Sequence, residues 1–394
     1  MNTHILDEAV QHFINEHLNR DVNKIALSKP VFEHVNNSEL ANQIAAKKKS
    51  AHKLPTWFHT DYIYYPPLLS IEQCSSEHTA IYKSKLAKGS SLIDLTAGFG
   101  VDSFFFSKEA KKVISCEIDA NLAEINAYNA ELLGADNIKV LNTNGIAYLE
   151  SGEDIFDTIY IDPARRNQNN KVFMLKDCNP DVVQYHALLL AKGSRVIIKT
   201  APLLDIIAGL NELENVSEIH ILSVKNECKE LLWVLDKNAD SSAIKVICAT
   251  LNDQGTKYFS FHTGEQQVSV DYADIHVNGY LYEPDVALLK SGAFNLIGIK
   301  YGLNKLHAQS HLYFSEEAKP DFAGRIFKIE KILKVNELKK EKDLQGNVIV
   351  RNFPDKAESL AKKYKIKPHQ TQFLVFTQDA EGYKVIDAKI IQHY

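Results

Sequence analysis

The sequence lacks the features that mark secreted, membrane and zinc-binding proteins. Its 5 cysteines are scattered over 394 residues and form no Cys-x-x-Cys pair, which argues against a disulfide framework or a zinc site and favours a reducing cytoplasm. No apolar run approaches the length of a membrane span, and the first residues have neither the basic start nor the apolar core of a signal peptide. The sequence thus predicts a cytoplasmic protein with neither a metal nor a membrane partner.

The chain also lacks an overall positive charge, an internal repeat and any low-complexity segment. Its net charge of −5 means that the molecule as a whole has no general attraction to nucleic acid. An apolar content of 45% and a charged content of 24% are those of a soluble globular protein. A chain of 394 residues is longer than the domains that usually form around one hydrophobic core, so two or three domains are expected.

Three regions differ in the pattern of their apolar residues. Residues 1–70 show helical spacing and predict an N-terminal helical cap. Residues 71–236 alternate strand and helix patterns, which indicates an α/β domain with a parallel sheet covered on both faces. Residues 237–394 contain shorter strands and predict a C-terminal α+β domain. The strands expected in the middle region are 91–95, 112–118, 138–141, 158–161, 195–198, 218–224 and 231–236.

The most informative segment is the Gly-rich turn Asp94-Leu95-Thr96-Ala97-Gly98-Phe99-Gly100. It joins a predicted buried strand to a predicted helix, and glycine in such a turn lets a ligand approach the backbone. Glu117 lies nineteen residues beyond Gly98, at the end of the next strand. An acidic side chain at that distance meets ribose hydroxyls in nucleotide-binding folds. The segment therefore predicts a nucleotide site.

The details of this turn do not fit a dinucleotide. The third glycine of the dinucleotide pattern is replaced by Ser103, bulky Phe99 separates the two glycines, and Asp94 is not part of that pattern. The turn instead resembles motif I of the class I S-adenosylmethionine (SAM) methyltransferases, and this resemblance implies a Rossmann-like, seven-stranded sheet. It places the following residues at SAM: Asp94, Thr96, Ala97, Gly98, Gly100, Glu117, Asn144 and Asp162. The alternative is a structural glycine turn in another α/β protein.

Asn144 follows the third strand, where the resemblance implies a contact of its carbonyl with the adenine amine. The alternative is a simple turn residue, because Asn142-Thr143-Asn144-Gly145 is turn-like.

A second motif, Asp162-Pro163-Ala164-Arg165-Arg166, follows the fourth strand, where parallel sheets bind ligands. It is similar to the Asp-Pro-Pro-aromatic motif of enzymes that methylate exocyclic amines of bases, which implies catalytic roles for Asp162 and Pro163. Ala164 and Arg165 depart from that motif. Arg165 can stack on a base through its guanidinium, or Arg165 and Arg166 can hold phosphates. The alternative is a strand end followed by surface ion pairs.

Two other residues near these strands have more than one interpretation. Lys199 closes the fifth strand, where it can hold a phosphate or carboxylate, or pair with Asp205 or Asp162, and pairing is favoured. Cys178-Asn179-Pro180 resembles the nucleophile motif of RNA uridine methyltransferases. Because Cys178 precedes a helix, predicted to start at Pro180-Asp181, we do not expect it to act as a nucleophile.

Taken together, the chain resembles bacterial class I SAM methyltransferases that carry a THUMP-like C-terminal domain. The matching segments are Glu72–Ser76, Asp94–Gly100, Asp162–Arg166, Lys199–Asp205, Tyr282–Asp285 and Asn352–Pro354. The THUMP relation implies RNA as the partner, either ribosomal or transfer RNA. Sixteen Lys and Arg against nine Asp and Glu between residues 300 and 370 are consistent with contacts to phosphates. The alternative for these lysines is a solvated charged face.

Three functional hypotheses follow. The first is a SAM-dependent methyltransferase that modifies an exocyclic amine, guanine N2 or adenine N6, in RNA. The second retains the SAM site but assigns a protein or a small molecule as the acceptor. The third is an RNA-binding module with an inactive methyltransferase fold.

Overall fold

The computed structural model describes residues 1–165, 174–239, 242–252, 255–272, 274–341 and 343–394. In these residues the α-helices are α1 Glu8–Glu16, α2 Val22–Ala26, α3 Asn37–Lys53, α4 Pro55–His59, α5 Leu68–Gln73, α6 Glu77–Ser84, α7 Val101–Phe106, α8 Ala120–Leu132, α9 Gly145–Ser151, α10 His186–Lys192, α11 Ile206–Glu212, α12 Val286–Lys290, α13 Phe294–Tyr301 and α14 Ala357–Tyr364. The strands are β1 Ser91–Asp94, β2 Lys112–Glu117, β3 Ile138–Asn142, β4 Phe156–Ile161, β5 Ala164–Arg165, β6 Cys178–Asn179, β7 Gly193–Thr200, β8 Val216–Val224, β9 Glu227–Asp236, β10 Lys245–Asn252, β11 Gly255–His262, β12 Tyr280–Pro284, β13 Asn304–Lys305, β14 Tyr313–Ser315, β15 Gly324–Lys334, β16 Asn347–Val350, β17 Gln372–Asp379 and β18 Gly382–Gln392.

The larger sheet has the strand order β11-β10-β8-β9-β7-β4-β1-β2-β3. Strands β1, β2, β3, β4 and β7 are parallel neighbours, with helices in the connections between them. The seven strands expected between residues 91 and 236 are therefore present, as β1 to β4 and β7 to β9. Strands β10 and β11 extend the same sheet. The Rossmann-like α/β fold is confirmed.

The register of the parallel strands brings their carboxyl ends to one edge. Asp94, the last residue of β1, is opposite Ser115 of β2 on one side and Tyr160 of β4 on the other. Ile161, the last residue of β4, is opposite Ile198 of β7. The residues that follow these strands consequently share the edge at which parallel sheets bind ligands.

The N-terminal helices share a hydrophobic core with the loop and helix that follow β1. Helix α3 begins with a capping box, in which Asn36 and Glu39 satisfy each other's backbone N–H groups. Trp57 of α4 is buried and contacts the rings of Phe99 and Phe104, at centroid distances of 6.1 and 5.0 Å. The helical region thereby packs against the Gly-rich turn and the helix that follows it.

The C-terminal part contains a second sheet, with the order β13-β14-β12-β15-β18-β17-β16. Neighbouring strands are antiparallel except β16 and β17. Its longest strands, β15 and β18, pair along most of their length and bury Phe327, Ile329 and Ile386. The predicted α+β character of this region is confirmed.

The chain forms two compact units. The first contains Met1–Ser217 and Leu232–Ala239, and the second contains Glu218–Leu231 and Asp240–Tyr394. The division into 1–70, 71–236 and 237–394 remains a prediction. Among the described residues, no helix is both long enough and apolar enough to cross a bilayer.

Two helix boundaries differ from the sequence-based prediction. The sequence predicts a helix over residues 77–87 with Ser76 as its N-cap; Ser76 does cap α6, but α6 ends at Ser84. The helix expected to start at Pro180-Asp181 begins only at His186. A turn precedes it, in which the Asp181 carboxylate accepts the N–H groups of Val183 and Gln184.

Candidate active site

The two glycines of the turn after β1 have different surroundings. Gly98 has φ +56°, and a Cβ atom built there would meet no atom within 4 Å. Gly100 has φ +87°, and a Cβ atom there would lie 2.2 Å from Oδ1 of Asn126. Both positions need glycine for their backbone conformation. Gly100 is further required for packing, whereas Gly98 opens onto free space at the edge of the sheet.

Asp94 holds this turn from inside. Its side chain is fully buried, and it accepts hydrogen bonds from the Thr96 N–H at 3.0 Å and the Ser103 hydroxyl at 2.6 Å. Burial raises the pKa of Asp94 to about 7. Because the Asp94 side chain has no exposed surface, its role in this structure is to stabilise the conformation of the turn. Ala97 is buried, and its N–H donates to the carbonyl of Cys116 at 2.9 Å.

Glu117 lies beside the open glycine, as its position at the end of β2 predicts. Its Oε2 accepts the Gly98 N–H at 2.8 Å, and its Oε1 accepts the Asp119 N–H at 2.8 Å. The neighbouring Ile118 is 71% exposed. Sequence reasoning missed Ile118, although an apolar residue directly after Glu117 could have indicated it. Glu117 and Ile118 together present a carboxylate and an apolar surface next to the turn.

Asn144 is the N-cap of α9. Its Oδ1 accepts the N–H groups of Ile146 and Ala147, at 2.9 and 3.2 Å. The next residue, Gly145, packs so tightly that a Cβ atom would lie 2.5 Å from the carbonyl oxygen of Leu95. The side-chain carbonyl that sequence reasoning assigned to adenine is thus engaged in capping, which is the turn-type role left open as the alternative.

Asp162 lies at the carboxyl edge of the parallel strands and contacts both Thr96 of the Gly-rich turn and Lys199 of β7. Its backbone N–H donates to Oγ1 of Thr96 at 2.7 Å, so the segment after β4 is fastened to the Gly-rich turn. Its Oδ2 forms an ion pair with Nζ of Lys199, at the end of β7. The predicted pairing of Lys199 with Asp162 is confirmed, and Asp205 instead caps α11 through the Ala208 N–H. Pro163 is buried.

The residues after Pro163 form a short hairpin. Strand β5 pairs with β6, so that Arg165 is opposite Cys178. The side chain of Arg165 and all of Arg166 lie outside the described residues, and their predicted contacts with base or phosphate remain predictions. The hairpin places Cys178 beside the Asp162 motif, nearer than its position along the chain indicated. Its Sγ is 3.9 Å from the carbonyl oxygen of Met174.

A buried charge network supports the helix that follows the turn. Asp102 of α7 forms an ion pair with the fully buried Lys83, at 2.9 Å, and accepts hydrogen bonds from the hydroxyls of Ser75 and Tyr160, at 2.8 and 2.9 Å. Although burial opposes the charged form, the ammonium groups of Lys83 and Lys199 and the hydrogen bonds from Lys83 and Ser75 lower the pKa of Asp102. Sequence reasoning missed Lys83, because a lysine on a surface helix is normally solvated.

The basic stretch of the C-terminal part is partly neutralised. Lys331, Lys363 and Lys367 form ion pairs with acidic side chains, at 2.7, 3.4 and 3.4 Å. Lys342 lies outside the described residues. Six exposed lysines of this stretch have no ion pair within the described part of the chain: Lys334, Lys339, Lys340, Lys356, Lys362 and Lys365. In the same described residues no cluster of three or more His, Cys, Asp or Glu is arranged to hold a metal ion.

This sheet order, with a Gly-rich turn after β1 and an Asp-Pro pair after β4, is the architecture of a class I methyltransferase. A crystal structure from Porphyromonas gingivalis W83, provisionally named as a methyltransferase, is 30% identical, covers 99% of both chains and has a TM-score of 0.87. A ferredoxin-like domain model matches residues 280–322, and a model described as THUMP domain-like matches residues 324–386. The chain belongs to the family of methyltransferases with a THUMP-like C-terminal domain.

A curated relative matches a smaller part of the chain. An uncharacterised RNA methyltransferase of Mycoplasma mobile is 30% identical over 84 residues. The alignment covers 21% of this chain and 23% of the relative, so it describes a local similarity.

Proposed function

We propose that this protein is a SAM-dependent methyltransferase of the cytoplasm that modifies an exocyclic amine of a base in ribosomal or transfer RNA. The proposal rests on one hydrogen bond, in which the backbone N–H of Asp162 donates to Oγ1 of Thr96 at 2.7 Å. This bond links the segment after β4 to the Gly-rich turn. It holds a hydrogen-bond acceptor for an amine next to the place where a nucleotide-like ligand fits.

The residues around Gly98 fit SAM. The free space in front of Gly98 admits a ligand close to the backbone, and Glu117 presents carboxylate oxygens for ribose hydroxyls beside it. A carboxylate has about four acceptor sites, so Glu117 can bond ribose in addition to backbone N–H groups. Exposed Ile118 offers an apolar surface for the adenine ring. Asp94, Thr96, Ala97 and Gly100 set the shape of the turn, and Asn144 fixes the start of α9 nearby.

SAM supplies an electrophilic methyl group on a sulfonium. The protein's own contribution is to position the acceptor amine: the Asp162 carboxylate accepts an N–H of the amine, which orients the nitrogen lone pair, and the carbonyl of Pro163 is a second acceptor at the same strand end. Asp162 also lies where it can receive the proton that the amine must lose. Arg165 is proposed to stack on the base or to hold a phosphate.

RNA is the acceptor that the C-terminal part supports. The exposed lysines Lys339, Lys340, Lys362 and Lys365 are free of ion pairs with described residues and can meet phosphates. The RNA methyltransferase named among the relatives favours the same acceptor.

Two measurements test the proposal. Calorimetric titration with SAM, in competition with S-adenosylhomocysteine, is expected to show a single competitive site. With methyl-tritiated SAM and total RNA from a strain that lacks the gene, label is expected in the RNA. Absence of binding would favour the inactive RNA-binding module, and label confined to protein or small molecules would favour the second hypothesis.

Asp162→Ala is expected to abolish methyl transfer while changing the affinity for SAM less than about threefold, because its carboxylate acts on the acceptor. Asp136→Ala, which removes an exposed carboxylate from a turn after α8, is the matched control and should retain activity. An equal loss of transfer and of SAM binding in Asp162→Ala would show that Asp162 holds SAM instead.

A further inference from the structure

The structure points to a specificity determinant within the proposed acceptor site. We propose that Asp162 and Lys199 together read the Watson–Crick edge of the base and select an amino group whose neighbour on that edge is an unprotonated ring nitrogen, as in adenine and cytosine, over the amino group of guanine. This inference rests on the proposed function, and it concerns which base is accepted.

The side chains of Asp162 and Lys199 lie next to each other at the carboxyl edge of the sheet. Because Ile161 and Ile198 are paired in neighbouring parallel strands, Asp162 and Lys199 leave the sheet side by side. Their ion pair is accessible, with 33% of the Asp162 side chain and 14% of the Lys199 side chain exposed. Among the described residues no hydrogen bond is made to Asp162 Oδ1, so this oxygen can accept a bond from a ligand.

The pair offers a ligand one hydrogen-bond acceptor beside one donor. An ionised carboxylate only accepts hydrogen bonds, and an ammonium group only donates them. The pair is therefore complementary to a donor next to an acceptor. Adenine presents N6–H beside unprotonated N1, and cytosine presents N4–H beside unprotonated N3. On its Watson–Crick edge guanine presents N2–H beside N1–H, so an ammonium group there faces a second donor; its acceptor N3 lies on the opposite side of the amino group, towards the ribose.

The backbone on both sides of the pair is held by neighbouring structure. Lys199 lies within β7, and the backbone N–H of Asp162 donates to Oγ1 of Thr96. Because the ion pair occupies one carboxylate oxygen, a base meets the other oxygen beside the ammonium group. Mismatch of one hydrogen-bond pair commonly costs about tenfold or more in discrimination between bases.

The test begins with the product. Total RNA from a strain without the gene is treated with the full-length protein and SAM, digested, and its nucleosides are measured by mass spectrometry. N6-methyladenosine or N4-methylcytidine is the expected gain. A gain of N2-methylguanosine would overturn the inference and leave the proposed function intact. A gain of 5-methyluridine, or no methylated nucleoside, would overturn both.

The role of Lys199 is tested on the methylated sequence. If the product is N6-methyladenosine, a synthetic RNA of that sequence is compared with one that carries 1-deazaadenosine, in which a C–H replaces N1. If it is N4-methylcytidine, the comparison uses 3-deazacytidine. Wild-type kcat/KM should fall at least about tenfold on the deaza RNA, and Lys199→Met should treat both RNAs alike. Equal activity of the wild-type protein on both RNAs would refute the assignment, even if Lys199→Met fails to fold.

Two further variants separate reading of the base from structural support. Lys199→Arg keeps a donor and should retain part of the preference for the unmodified base. Lys139→Met changes an exposed lysine of β3 and should behave as wild type. Affinity of Lys199→Met for S-adenosylhomocysteine should stay unchanged, whereas its loss would show that Lys199 supports the fold of the site.

Discussion

Gly98 and Gly134 form a matched pair for testing the cofactor site. Both have positive φ, +56° and +67°, and a Cβ atom built at either glycine would meet no atom within 4 Å. Substitution by leucine should destabilise each variant similarly, by about 1–2 kcal/mol, because the left-handed backbone opposes a side chain. Gly98→Leu alone should weaken SAM binding, by more than about tenfold, measured by calorimetry. Equal affinities in the two variants would place the ligand elsewhere.

Asp94 should make the stability of the protein depend on pH. Its folded pKa, about 7, lies above its usual value of 3.8, so the folded state binds the proton more tightly. This contribution to stability is complete below about pH 4 and is lost as pH rises to about 7, at up to about 1.4 kcal/mol per pH unit. Asp94→Asn removes the titration.

The measurement is urea unfolding of both proteins between pH 5 and pH 7.5. The free energy of unfolding of the wild type should fall relative to that of Asp94→Asn as pH increases. Parallel curves over this range would show that Asp94 titrates as an ordinary carboxyl group.

At the scale of elements, α11 approaches the sheet through a glycine. A Cβ atom at Gly209 would lie 2.4 Å from the ring of Trp233, whose Nε1–H donates to the Thr200 hydroxyl at 3.0 Å. Gly209→Ala should therefore destabilise the protein by about 1–3 kcal/mol through overpacking, although alanine normally stabilises a helix. Thermal unfolding of Gly209→Ala and of Asn211→Ala on the same helix measures this, and a gain in stability at Gly209 would contradict the packing.

The elements of the parallel sheet could be predicted because each buried strand is a short apolar run followed by polar or Gly-rich residues. Parallel strands share a carboxyl edge, so the gathering of the Gly-rich turn, Glu117, Asp162 and Lys199 at one edge followed from the strand assignment. Contacts between elements distant along the chain could not be predicted. The burial of Lys83 depends on Asp102 from the next helix, and the position of Cys178 depends on a hairpin with Arg165.

At the scale of the whole molecule, the distribution of charge matters more than its sum. The net charge is −5, yet residues 300–370 carry an excess of seven positive charges, sixteen minus nine. Phosphate contacts release counterions, so binding of RNA by this region should weaken steeply as salt increases. Binding of SAM should depend little on salt.

Double charge reversal tests this distribution. Lys362→Glu with Lys365→Glu should lower RNA affinity and reduce the slope of log affinity against log salt by about 1.4, if each lysine meets one phosphate of single-stranded RNA. Lys111→Glu with Lys112→Glu makes the same charge change at the start of β2, at the end of the sheet opposite the candidate site. Filter binding over a salt series should show the smaller slope only for the Lys362 and Lys365 variant. Equal slopes for the two double variants would place the RNA on another surface.

The ion pair of Lys83 and Asp102 has a consequence for how this protein can diverge. Each charge is shielded from water and is tolerated because the other is present. A descendant that exchanged one of them for a neutral residue would carry a bare charge in its interior. The two positions are therefore expected to change together or not at all, so that a lineage reaches an uncharged version of this interior through a poorly folded ancestor or through a double substitution.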